Sequence, residues 1–290
     1  MISRAFAKSL PVVLTAFAIP PAAAAEPAQP VAQGMCTQSR FTGDPDIAAM
    51  RDAILSSEGP AAMAKAAPKL LPKLADIGKE MQQRKEQDWP FLCRYRAENA
   101  KLLQSGARPA VIFLGDSITE FWSYGDPVLF GKGVVDRGIS AQTSGQILLR
   151  FYQDVVALKP AVLHLNAGTN DIGGNGGPAI TDDDIINNLS AMTDMAKAHG
   201  IRVVLSSILP STASAQYQSA GQTARIVALN KRIRALAAQR GAGYADYHSV
   251  LADADGRIRP EMSNDGVHPN RRGYDAMRPI AQAALAKAKR

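Results

Sequence analysis

The chain has 290 residues and a mass of 30.8 kDa, which fits one large domain or one domain with an extension. Apolar residues make up 46% and charged residues 20%, so wholesale disorder is excluded and a sizeable core is available. The formal charge is +7, but no Lys/Arg block focuses it and aromatics are only 6%; both facts argue against a nucleic-acid surface. The two Cys and four His are scattered, which rules out a Cys/His zinc site of ordinary spacing.

Residues 1–25 read as a secretory signal peptide: Arg4 and Lys8, then the apolar run Leu10–Ile19, then Ala23, Ala24 and Ala25 before Glu26. The run is too short for a spanning helix, and Pro11, Pro20 and Pro21 interrupt it, so no stable membrane anchor is expected. Removal of this segment lowers the formal charge from +7 to +5 and implies a periplasmic or extracellular protein. Cys36 and Cys93 can then form a disulfide; over that loop length the chain-entropy model gives about 4 kcal/mol. Two buried thiols are the alternative.

A Pro/Ala-rich leader is expected over 26–43 and a helical extension over 44–106. Ile47, Met50, Ile54 and Leu55 carry a helical spacing within Asp46–Ser57. Pro68 and Pro72 are expected to break the following stretch, Lys73–Gln87 to resume a helix, and Phe91–Leu103 to form another. No catalytic constellation is visible here, so packing on the main domain or shaping one side of a site is the expected role.

From Arg108 the pattern changes, and residues 107–290 read as one α/β domain. Ala110–Leu114, Val134–Asp136, Ala161–Leu165, Val203–Ser207 and Tyr244–Asp246 are short strand candidates, mostly without alternation, as strands buried on both faces require. Thr143 and Gln146 fit a capping box, followed by Ile147, Leu148, Phe151, Val155 and Leu158 on one helical face. Thr181 precedes three aspartates that suit a helix start, Gly200 and Gly241 suit helix ends, and Asn270–Lys287 reads as the closing helix. Repeated βα units predict a parallel sheet with helices on both sides and a site at the carboxyl ends of the strands.

The chemistry-bearing residues fall at those ends. Ser117, in Phe113–Thr119, follows the first strand; its hydroxyl becomes a nucleophile only beside a base, and otherwise caps a helix. The flanking residues are not those of a G-x-S-x-G elbow or of a P-loop. Asp265 lies three residues before His268, a spacing that lets a carboxylate orient the imidazole toward Ser117. His164, His199 and His248 have no Asp at that spacing. Gly138 follows the second strand and Asn170 the third; a backbone N–H and a side-chain amide could stabilise an oxyanion, though both residues are also common in turns.

In chain order these blocks read GDSIT, RGISAQTSGQ, GTND and DGVHPN. Together they resemble the SGNH (GDSL-like) hydrolase family, and the stretch from Phe113 to Trp122 is similar to its subgroup of platelet-activating-factor acetylhydrolase-like short-chain esterases. The resemblance implies a flavodoxin-like three-layer αβα sandwich with a five-stranded parallel sheet in the order 2-1-3-4-5. It implies Ser117 as nucleophile, His268 as base and Asp265 as its partner. The oxyanion donors it implies are the Ser117 N–H, the Gly138 N–H and the Asn170 side chain. It needs neither a metal nor an organic cofactor. Ala141 stands where many relatives carry a second glycine, a change expected to alter only loop flexibility; Asp116 and Asp171 are expected to be structural.

The implied activity is hydrolysis of a small-molecule or carbohydrate ester. Lysophospholipids and thioesters are alternative substrates, an O-acyltransferase acting on envelope polysaccharide would use the same triad, and a non-catalytic binder could share the scaffold. Trp122 could line the pocket or pack in the core.

Overall fold

Short apolar strands with no polar face can persist only between two covering layers, and the computed structural model has that arrangement. It describes residues 36, 39–131, 133–175, 180–212 and 221–289. The expected signal peptide and most of the expected leader lie outside the described residues. Gln38–Arg290 forms one compact unit.

Five strands, β1 (Val111–Gly115), β2 (Val134–Gly138), β3 (Val162–Leu165), β4 (Arg202–Ser206) and β5 (Gly243–Ala245), make one sheet. Its order is β2-β1-β3-β4-β5, and every pairing is parallel. This is the expected flavodoxin-like order, with strand ends within two residues of those read from the sequence. Ile112, Leu114, Leu163, Leu165 and Leu205 face one apolar cluster; Val111, Phe113, Val162 and Val204 face the other.

Eleven α-helices are found among the described residues. Before the sheet come α1 (Pro45–Leu55), α2 (Pro60–Leu70), α3 (Leu74–Gln87) and α4 (Arg96–Ser105). Within the sheet region are α5 (Ser117–Gly125), α6 (Ser144–Leu149), α7 (Thr169–Ile172), α8 (Asp182–Ala198), α9 (Gln222–Arg240), α10 (His248–Leu251) and α11 (Arg271–Lys289). Residues of α8 and α9 cover the first face; Trp122 of α5 and Tyr274, Met277 and Ala281 of α11 cover the second, where fully buried Leu55 of α1 joins them. Trp122 is therefore a core residue, stacked on Tyr274 at 5.4 Å between ring centroids.

Three local expectations are corrected. Pro68 does not break its helix: α2 runs through it to Leu70, the proline forgoes only its own N–H bond, and Leu71 N–H still reaches Ala67 O. Phe91–Leu103 is not helical from its start. Asp88 accepts from Leu92 N–H and Cys93 N–H at 2.8 and 2.9 Å, which makes a turn, and α4 begins only at Arg96. The amphipathic stretch after Thr143 buries Ile147, Phe151, Val155 and Leu158 as expected, but α6 stops at Leu149 and a π turn over Tyr152–Val156 follows.

The interruption is occupied by Arg150, whose side chain is fully buried. It donates to Gln142 Oε1 at 2.6 Å, Arg137 O at 2.9 Å, Asp154 Oδ2 at 3.0 Å and Gly115 O at 2.8 Å. Replacing Arg150 with Ala should strip buried Asp154 of its counter-charge and cost about 3–5 kcal/mol. Urea denaturation should show the loss as a lower midpoint at unchanged slope.

Candidate active site

β1 ends at Gly115, where a side chain is impossible: a Cβ would lie 2.1 Å from Thr119 Oγ1 and 2.7 Å from Asn166 O. Asp116 then caps α5, accepting from Ile118 N–H at 2.9 Å, and Ser117 becomes the first residue of that helix. Its N–H, like any at a helix start, has no partner within the helix. The Ser117 side chain meets the loop before α11: its Oγ lies 2.9 Å from His268 Nε2, across 151 residues of chain. His268 Nδ1 lies 2.6 Å from Asp265 Oδ2. Asp265 Oδ1 accepts the backbone N–H groups of Val267 and His268 at 2.9 and 2.8 Å, so the carboxylate is fixed by its own loop. Phe121, one helical turn beyond Ser117, lies against the imidazole with ring centroids 5.0 Å apart.

The loop is anchored from the N-terminal helices. Asn264, just before Asp265, donates its amide to Ala53 O, Ile54 O and Ser56 O at 2.8–3.1 Å. Those carbonyls end α1, whose last turn has no basic residue to satisfy them. Asparagine at this position carries no pattern of its own in the sequence, because its partners lie about two hundred residues away.

On the other side of Ser117 is the turn after β2. The expected donor Gly138 has its N–H bonded to Asp136 Oδ1 at 2.7 Å. What Gly138 provides is close packing, since a Cβ there would lie 2.2 Å from Glu120 N. The Ala141 N–H, by contrast, donates to no described residue. Ala141 has φ +64°, a left-handed conformation that costs a non-glycine residue about 1 kcal/mol, so its effect is conformational strain and not merely altered flexibility. Asn170, in α7, closes the group: its amide nitrogen donates to Asp116 Oδ2 at 3.1 Å and to Gln142 O at 3.0 Å. Asp171 accepts from Ser144 N–H and Oγ–H, the structural role expected of it.

The electrostatics divide the carboxyls. Asp265 is desolvated, but its bonds with His268 and its loop outweigh that and hold it down at about 2. Burial pushes Asp116 up to about 6; burial, with repulsion from Glu120, pushes Asp136 up to about 7. His164 is buried in β3 and pushed down to about 3 by desolvation, with Nε2 bonded to Tyr247 Oη at 2.7 Å. His199 caps the end of α8 and His248 opens α10, so neither of them belongs to this cluster. Among the described residues no group of His, Cys, Asp and Glu is arranged to hold a metal.

An open parallel sheet of flavodoxin-like order with a hydroxyl, an imidazole and a carboxylate in series at its switch point is a framework suited to nucleophilic acyl transfer. The model of the GDSL-like Lipase/Acylhydrolase family matches residues 113–276, more than half of the sequence. A GDSL-like lipase of Bacteroides thetaiotaomicron is 37% identical, with a TM-score of 0.65 over 69% of this chain and 100% of its own. A Bacteroides fragilis protein described as an acylhydrolase is 38% identical, with a TM-score of 0.64 over 70% and 99%. A Streptococcus pneumonia protein described as a platelet activating factor shares the fold at 24% identity, with a TM-score of 0.58 over 71% and 99%. No curated protein matches. The chain belongs to the GDSL-like lipase/acylhydrolase family and is a carboxylic-ester hydrolase.

Two outcomes follow. A carboxyl whose folded pKa is raised contributes stability below its ordinary value of 3.8 and loses it as pH rises through the folded value. Thermal midpoints should therefore fall between pH 5 and pH 8, and Asp136→Asn, which can still accept from Gly138 N–H, should flatten that fall. Ala141→Gly should relieve the left-handed strain and raise stability by up to about 1 kcal/mol, as read by calorimetry at pH 5.

Proposed function

We propose that the protein is an exported serine esterase that hydrolyses short-chain acyl esters, acetyl esters included, through an acyl-enzyme on Ser117. The observation that carries this reading is the hydrogen-bonded series Ser117–His268–Asp265, with separations of 2.9 and 2.6 Å. With Asp265 ionised and bonded to Nδ1–H, the imidazole keeps Nε2 free to accept the serine proton. Ser117 Oγ then attacks the ester carbonyl, His268 passes its proton to the leaving alkoxide, and the alcohol departs. Water, deprotonated by His268, cleaves the acyl group from Ser117 and regenerates the hydroxyl.

The negative oxygen formed at each attack is met by the Ser117 N–H at the start of α5 and by the Ala141 N–H, which takes the place expected of Gly138. Asn170 adds an amide hydrogen by exchanging its bond to the Gln142 carbonyl for one to the substrate. The substrate is a small-molecule or carbohydrate ester, and no step calls for a cofactor.

Export is supported by the pattern of residues 1–25 and by the bonded state of both Cys36 and Cys93, which suits an oxidising compartment. No helix among the described residues is long and apolar enough to cross a membrane. In this reading residues 107–290 are the hydrolase domain and 44–106 a helical extension that supports it.

Ser117→Ala should lower kcat on p-nitrophenyl acetate by at least about 10³-fold and abolish labelling by a fluorophosphonate, with the thermal midpoint retained. Turnover or labelling at the wild-type level would end the reading. Acetyl, butyryl and octanoyl esters run side by side should show kcat/KM declining with acyl length.

A further inference from the structure

We propose that Glu120 is a positioning residue for the esterase reaction, holding the turn over Ile139–Gln142 so that the Ala141 N–H stays in register with Ser117. The inference rests on the assignment of Ser117 and Ala141 above. Glu120 lies three residues after Ser117 on α5, so the two ride on one rigid helix. One carboxylate oxygen of Glu120 accepts both the Ser140 N–H at 2.8 Å and the Ser140 hydroxyl at 2.6 Å. Ser140 directly precedes Ala141, and the two bonds hold Ser140 by its N–H and its side chain, one residue before the Ala141 N–H.

The turn needs such a clamp. Ala141 sits in a conformation that an unrestrained alanine leaves, and strain of this kind persists only where the surroundings over-determine it. The other bonds of the turn start or end on Ile139 and Gln142: Ile139 N–H to Gly115 O at 3.1 Å, Gln142 N–H to Ile139 O at 3.4 Å, Gln142 O to the Asn170 amide, and the Gln142 side chain to Arg150 and Pro90 O. Glu120 is the group that grips its middle.

The charge of Glu120 argues the same way. A carboxylate near a forming oxyanion opposes it, so an electrostatic contribution to catalysis would be adverse. The side chain is held where its two accepted bonds outweigh that cost, and Arg94, just before α4, sets its guanidinium 3.5 Å from the other carboxylate oxygen. Geometry is what this residue contributes.

The test compares purified Glu120→Ala and Glu120→Gln with the wild type on p-nitrophenyl acetate. Glu120→Ala should lose about tenfold or more in kcat with KM changed less than about threefold, and should react more slowly with a fluorophosphonate. Glu120→Gln, which still offers an amide oxygen to Ser140, should recover most of kcat. A Glu120→Ala enzyme within about twofold of wild-type kcat, or a Glu120→Gln enzyme as impaired as Glu120→Ala, overturns the proposal. Should Glu120→Ala not fold, Ser140→Ala takes its place; with one of the two bonds gone it should lose about threefold or more in kcat, and parity with wild type overturns the proposal equally. Activity surviving in Ser117→Ala would instead indict the site assignment itself.

Discussion

Beneath the candidate site, one buried guanidinium joins the parts that must not move. Arg150 bonds Gly115 O at the end of β1, Arg137 O near the end of β2, and the side chain of Gln142 in the turn that follows. A charge this deep is tolerable only when its hydrogens are taken up, and here two carbonyls, an amide oxygen and the Asp154 carboxylate receive them. Arg150 thereby braces the carboxyl ends of β1 and β2, which the sheet already pairs at Gly115 and Gly138.

The N-terminal helices extend the same logic to the rim. Gln142, Gln146 and Gln153 donate to the carbonyls of Pro90, Trp89 and Leu92, while Asn99 bridges Arg137 and Asp154. On the far side, Asn264 ties the end of α1 to the loop bearing Asp265 and His268. The helices thus contact the two halves of the site separately, one through the turn after β2 and one through the loop before α11. Neither set of bonds touches the nucleophile. Both restrict the groups that face it.

How much of this was legible in the residues follows from the range of each interaction. Strand order, the Ser117–His268–Asp265 cluster and the end of α8 near Gly200 depend on local patterns that survive as sequence signals: uniform apolar runs, a three-residue Asp–His spacing, a glycine with positive φ. The engagement of the Gly138 N–H was not legible, because it depends on what a neighbouring side chain does, and Asp136 takes that hydrogen. Ala141 was underrated because alanine carries no sign of a left-handed backbone. Asn264 and Glu120 were invisible: an amide or a carboxylate on a half-buried surface has too many solvated uses for its type to name a partner.

Cost is concentrated where the chemistry is. Asp116 is desolvated directly beside Ser117, Ala141 holds a left-handed turn, and an acidic pair, Glu120 and Asp136, lies against that turn. Each arrangement is unfavourable taken alone. They persist because the sheet is sealed on both faces by aliphatic clusters that do not depend on the rim, with Ile112, Leu163 and Leu205 on one side and Phe113, Trp122 and Tyr274 on the other. Apolar burial at about 25 cal/mol per Å² over those faces supplies the margin against which a few kcal/mol of local strain can stand. A rim assembled this way is preorganised: the turn and the loop are already held by bonds to the scaffold, so little reorganisation remains for the moment when charge develops on the substrate oxygen.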